Sequence, residues 1–170
     1  MRKITKAASL LILLSLAACS GKQGKISKMK PSHESLSQNL ATVEHSPEVA
    51  LKDFQENILS TVSFEFDSSV LSEKNKAILD KQVEWLSNHN NFTCNVIEGH
   101  CDKVGTREYN LALGERRAEE VKRYLVSCGI ASERLEVRSC GKEKLLRHGD
   151  SQEDHAENRR AVLIPGTEYK

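Results

Sequence analysis

Gly99-His100-Cys101-Asp102-Lys103-Val104-Gly105-Thr106-Arg107-Glu108-Tyr109-Asn110-Leu111-Ala112-Leu113-Gly114-Glu115-Arg116-Arg117-Ala118 joins three kinds of local structure in one run. A strand ends at its start, a tight turn follows, and Thr106 stands where a helix cap is needed. At about 100° per residue, Leu111, Gly114, Ala118, Val121 and Leu125 share a stripe that should face a sheet. Arg116 then points to solvent, while Arg117 lies on the flank of the stripe with Asn110 and Tyr124. A semi-enclosed guanidinium needs an acceptor, because burying an unpaired charge is costly. Asp102 falls just past the carboxyl end of a strand, where open α/β sheets collect ligands. The two charges suit a zwitterion, with Asp102 taking an ammonium and Arg117 gripping a carboxylate in bidentate fashion. Two plainer readings stay open: Asp102 as a helix cap or dipole partner, and a structural Arg117–Asp102 ion pair.

Outward from this run, the chain alternates strands and helices. Val62 to Asp67 alternates apolar and polar residues as a strand does. Ser72 caps a helix whose apolar face carries Ile78, Leu79, Val83 and Leu86, and Asn88-His89-Asn90-Asn91 breaks it. Phe92 to His100 forms the second strand, and the Thr106 helix runs to about Ser127, ended by Cys128-Gly129. Leu135 to Ser139 is a third strand, Asp154 to Asn158 a short helix, and Arg160 to Ile164 a last strand closed by Pro165. Val49 to Leu59 has the pattern of a short amphipathic helix leading in. The expected fold class is α/β, a two-layer βαβαβ(α)β sandwich: a small mixed sheet with helices packed on one face.

The amino terminus is of another kind. Arg2, Lys3 and Lys6 precede an apolar run from Ala7 to Ala18 that is too short to span a bilayer as a mature helix. Leu16-Ala17-Ala18-Cys19 resembles the bacterial lipobox, so residues 1–18 read as a signal peptide and Cys19 as the acylated residue. Such acyl chains hold a protein on a membrane at ~0.8 kcal/mol per buried methylene. Ser20 follows, not aspartate, which in lipoproteins implies export to the outer membrane. Residues 19–52 read as a lysine-bearing polar tether, and residues 53–166 as the folded domain. The formal net charge of +1 gives no reason to expect nucleic acid as a partner.

Several motifs now carry a resemblance. Phe64-Glu65-Phe66-Asp67, Gly99-His100-Cys101-Asp102, Glu108-Tyr109-Asn110-Leu111-Ala112-Leu113-Gly114-Glu115-Arg116-Arg117-Ala118-Glu119-Glu120-Val121, Cys140-Gly141-Lys142-Glu143 and Glu157-Asn158-Arg159-Arg160-Ala161-Val162-Leu163 stand in order over roughly residues 60–165. They resemble the OmpA-like peptidoglycan-binding domain. The resemblance implies that Asp102 and Arg117 bind the side-chain ammonium and carboxylate of meso-diaminopimelate in the stem peptide of the cell wall. It further implies contributions from the Asp67-Ser68 loop and from the backbone near Leu113. Asn110 and Tyr109 would support the pocket, and Asn158 and Arg159 would be scaffold beside it. Joined to the lipobox, it implies a lipid-anchored protein that ties the outer membrane to peptidoglycan and docks periplasmic proteins of the Tol system, in envelope integrity and cell division. Two positions depart from the family: Cys101 replaces a usual threonine, and Cys140 replaces an aromatic residue.

Four cysteines remain besides Cys19. Cys101 and Cys140 close parallel strands at the site end, and Cys94 and Cys128 sit at the other, so Cys101–Cys140 and Cys94–Cys128 are the expected disulfides in an oxidising compartment. Free thiols and intermolecular bridges stay open as alternatives. An envelope enzyme using Cys101 with His100 is the competing function. It is disfavoured because neighbouring strand residues point to opposite faces. The same alternation disfavours a metal held by His100, Cys101 and His89 or His148, so no cofactor or metal is expected. A flagellar stator subunit with the same domain would need a membrane-spanning helix, and none is read here.

Overall fold

The structure is a computed structural model that describes residues 46–167. The signal peptide 1–18, the lipidation residue Cys19 and the tether up to residue 45 lie outside the described residues.

Helix α1 (Pro47–Asn57) begins at a Ser46 cap that accepts a hydrogen bond from the Val49 amide (3.3 Å), with Pro47 in the first turn where its missing N–H costs nothing. Strand β1 (Thr61–Ser63) is short. Helix α2 (Glu73–Asn88) starts at Ser72, whose hydroxyl accepts from the Asn75 amide. Strand β2 (Asn95–His100) runs up to the site. Helix α3 (Arg107–Ser127) starts at Thr106, and Gly129 just beyond it takes φ 101°, the left-handed conformation that helix ends favour. A 3₁₀ turn leads into β3 (Leu135–Gly141). Helix α4 (Gln152–Asn158) opens with a reciprocal Ser151–Asp154 capping box, and β4 (Arg160–Ile164) ends the fold.

The four strands form one mixed sheet in the order β1-β4-β2-β3. β2 and β3 are parallel; β4 is antiparallel to both β1 and β2. The register shifts between Gly99 and His100, where β2 passes from pairing Gly99 with Ser139 to pairing His100 with Gly141. Helix α2 contributes Leu79, Trp85 and Leu86 to the core, and α3 contributes Ala118, Val121 and Leu125. Phe54 of α1 lies in the same core, its ring 4.8 Å from that of Trp85. The Asn75 side chain donates to the Ser63 carbonyl and the Gln82 side chain to the Leu59 carbonyl, which fixes α2 along β1. This is the expected α/β class with a small mixed sheet. No helix among the described residues is long and apolar enough to cross a membrane.

A pair of glycines sets the height of α3 above the sheet. A Cβ at Gly99 would lie 1.8 Å from the Gly114 carbonyl oxygen, and one at Gly114 would lie 2.5 Å from Ser139 Oγ. Helix and strand backbones therefore touch directly, and Arg117, one turn further along α3, is pressed over the end of β2.

Three expectations are corrected. The strand read over Val62 to Asp67 stops at Ser63. Phe64 donates its amide to the Arg159 carbonyl, and Asp67 then turns the chain with φ 53°. The carbonyls of Glu65 and Ser68 go to Arg117 rather than to a ladder. The buried stripe of α3 keeps Gly114, Ala118, Val121 and Leu125 as expected, but Leu111 is 40% exposed, and Asn110, Leu113 and Arg117 are buried with the stripe. The stripe is broader on that side, and Arg117 lies not on its flank but fully buried, 0% exposed. Finally, Cys94, Cys101, Cys128 and Cys140 are all free thiols, so neither Cys101–Cys140 nor Cys94–Cys128 forms in this structure. Cys101 donates toward the Asn110 carbonyl on the α3 side of the sheet, while Cys140 clusters with Glu98 and His100, which alternation places on the other side.

Candidate functional site

At the carboxyl end of β2 a cavity of about 160 Å³ opens between the Glu65–Ser68 turn, the β2–α3 loop and the first turns of α3. Asp67, Asp102, Tyr109, Asn110, Leu113, Arg117 and Arg159 all line it. The structure thus gathers most of the residues singled out from the sequence. Two do not line the cavity. The Ser68 carbonyl accepts from Arg117 Nε at 2.8 Å, and its hydroxyl oxygen accepts from the Val70 amide. Asn158 points elsewhere: its side chain accepts from the Leu146 and Arg147 amides and donates to the Arg147 carbonyl, pinning the β3–α4 loop.

Arg117 is the floor of the cavity. Its Nε donates to Ser68 O (2.8 Å), Nη1 to His100 O (2.8 Å) and to Cys101 Sγ (3.4 Å), and Nη2 to Glu65 O (3.1 Å). Four acceptors answer its five N–H groups, which leaves one Nη2 hydrogen for a guest. A two-pronged grip on a carboxylate, the sequence expectation, is therefore not prepared. The guanidinium also lies over the Phe64 ring, 5.2 Å from its centroid. Burial lowers its pKa, with the Cys101 sulfur and the Asp102 carboxylate opposing that shift.

Asp102 is 4% exposed and is neither the helix cap nor the partner of Arg117. Its Oδ1 accepts from the Val104 amide (3.1 Å), and its Oδ2 pairs with Arg159 Nη1 at 3.2 Å. Thr106 does the capping instead, accepting from the Tyr109 amide. Arg159, expected as scaffold, is half of the site's ion pair, and its Nε is held by the Phe64 carbonyl (3.1 Å). Asn110 ties the loop down by donating to the Val104 and Thr106 carbonyls. At the rim, Tyr109 donates its hydroxyl to Asp67. Phe66, 64% exposed at the rim, was missed. Its signal was an aromatic residue between two acidic neighbours at the end of the apolar–polar alternation.

Two carboxylates, Asp67 and Asp102, and two guanidiniums, Arg117 and Arg159, thus meet in a partly closed apolar pocket. The arrangement can hold a small polar guest of mixed charge. Burial pushes the Cys101 thiol above its usual range, with Arg117 opposing, and keeps it protonated. His100 lies across the sheet from it with Glu98 and Cys140, so the two do not form a nucleophile and base.

Residues 63–159, more than half of the chain, match the OmpA family, and the chain belongs to that family. Among its relatives is the peptidoglycan-associated lipoprotein of Rhizobium meliloti (strain 1021), 43% identical over 115 residues that cover 68% of this chain and 65% of the relative. The chain therefore matches just under two thirds of that protein's length. The crystal structure of the peptidoglycan-associated lipoprotein from Burkholderia pseudomallei superposes with TM-score 0.61 at 38% identity, covering 64% of this chain and 91% of the other. The C-terminal domain of Helicobacter pylori MotB shares the fold, with TM-score 0.60 at 18% identity over 65% of this chain and 86% of the other.

Proposed function

We propose that this chain is a lipoprotein of the cell envelope that binds peptidoglycan without catalysis, through the cavity at the end of β2. The observation that carries this reading is the placement of Asp102 and Arg117 in one small pocket, the first paired with Arg159 and the second with one N–H left without an acceptor. Diaminopimelate fits that chemistry. Its side-chain ammonium takes the place of Arg159 on Asp102, and its carboxylate settles against Arg117 with Arg159 released to meet it. Charge-assisted hydrogen bonds of this kind contribute ~1.5–3 kcal/mol each. The family membership and the names of the relatives support the reading. With Cys19 acylated in the outer membrane, the tether, read from the sequence as residues 19–52, would run from Cys19 to the start of α1 at Pro47, and the folded part would be the grip. The Tol proteins of the periplasm are the proposed protein partners.

The test is sedimentation of the full chain with purified sacculi, alongside Asp102→Asn and Arg117→Lys, each checked for its fold by circular dichroism. Wild type should pellet, and folded Asp102→Asn should lose at least tenfold in affinity. Sacculi whose stem peptide carries lysine instead of diaminopimelate, and so lacks the side-chain carboxylate, should bind weakly. Equal pelleting of all three proteins would refute the reading.

A further inference from the structure

Behind the pocket, on the opposite side of the sheet, lies a second group of chemically able side chains. Gly99 and Cys101 face α3, so Glu98 and His100 face away from it. Cys140 joins them. The three are 8%, 2% and 7% exposed, and one donor atom from each lies within 4.8 Å of the other two. His100 Nε2 stands 3.5 Å from Glu98 Oε2, and His100 Nδ1 is buried with no hydrogen-bond partner. A neutral imidazole whose contacts are a carboxylate 3.5 Å away and the Lys144 main chain, and whose Nδ1 is buried without a hydrogen-bond partner, is incompletely satisfied for so enclosed a group.

We propose that Glu98, His100 and Cys140 bind a divalent ion of the zinc class, with the fourth position open to water. Thiolate, imidazole and carboxylate are the donors such an ion takes. Metal–ligand bonds of ~2.0–2.3 Å put tetrahedral ligands roughly 3.5 Å apart, so the three side chains close by about 1 Å. The cations now answering Glu98 are Lys144 Nζ at 3.2 Å and Arg138 Nη1 at 3.8 Å, and Arg160 lies near His100. Lys144 is a loop residue with a 60% exposed side chain and leaves into water at small cost. The doubly charged ion takes its place, and Cys140 releases its thiol proton to solvent on binding. The site bridges β2 and β3 at their ends. Because the His100 carbonyl holds Arg117 Nη1 at 2.8 Å, an ion here braces the strand end that floors the pocket.

Cobalt(II) titration of the full chain under reducing conditions tests this. The expected result is a thiolate-to-cobalt charge-transfer band that saturates at one equivalent, is displaced by zinc and persists in Cys128→Ser. Cys140→Ser should abolish the band, and Glu98→Gln should weaken cobalt binding at least tenfold. Absence of the band, its survival in folded Cys140→Ser, or unchanged affinity in Glu98→Gln overturns the proposal. Should Cys140→Ser fail to fold, the Glu98→Gln affinity decides.

Discussion

Replacing Arg117 by methionine keeps the volume of the side chain and removes its charge and donors. Three main-chain carbonyls lose their partner: Ser68 and His100 at 2.8 Å and Glu65 at 3.1 Å. Hydrogen bonds to a charged group contribute ~1.5–3 kcal/mol each, so the gross loss is roughly 4.5–9 kcal/mol. Two effects offset it. The desolvation of a fully buried guanidinium is no longer opposed to folding, which returns several kcal/mol. Water can also enter the cavity and reach the Glu65 and Ser68 carbonyls. The net destabilisation should be about 3 kcal/mol. Trp85 is the sole tryptophan, buried in the core, and its fluorescence reports urea unfolding. With a slope of about 1.5 kcal/mol per molar urea, the midpoint should fall by about 2 M. Arg117→Lys should lie between the two, since one ammonium cannot reach carbonyls from three segments. A loss below about 1 kcal/mol in Arg117→Met would show that the side chain is not the clamp described.

Gly99→Ala should be among the most damaging small changes, because its methyl meets the Gly114 carbonyl at 1.8 Å and only a shift of α3 relieves it; thermal melting should show a loss of ~3 kcal/mol or more, against a smaller loss at Gly129→Asn, where space is open and only the positive φ is strained. Burial, reinforced by Arg160 and Lys144 and opposed by Glu98, lowers the His100 pKa to about 4. The unfolded chain therefore takes up this proton near pH 6.5 while the folded, metal-free chain does not, so stability should fall between about pH 6.5 and 4. The drop should be about 2 kcal/mol larger in wild type than in His100→Gln, measured by urea midpoints in chelator, and equal slopes would refute the assignment. Alkylation of the native chain without reductant should label Cys128 quickly, with Cys94, Cys101 and Cys140 following only after denaturation. Failure of those three to label even in denaturant would mean disulfides.

The helices were legible because their ends are chemical. Ser72 and Thr106 each cap a helix with a hydroxyl on an amide three residues on, a local arrangement that a sequence displays, whereas the Ser151 cap was not read and the last helix starts at Gln152 rather than Asp154. The short β1 was not legible, since Phe64 to Asp67 keeps the alternation of a strand while its carbonyls turn to a guanidinium 49 and 52 residues away in the chain. Asp102 and Arg117 do line one cavity, but their wiring was not legible. Asp102 meets Arg159 only because β4 lies next to β2, a neighbour relation that spacing along the chain does not contain. The cysteine pairing failed for the same reason. Cys101 and Cys140 end adjacent strands, yet alternation and the register shift at Gly99/His100 send them to opposite faces.

Arg117 also has a mechanical meaning. One side chain rivets the Glu65–Ser68 turn to the last residue of β2 while itself standing on α3. Tension on anything seated against it passes at once into three stretches of main chain, without first straightening a loose arm. Such a grip has almost no slack: it should hold at near-constant length under stretch and then let go abruptly, as a peg leaves a board.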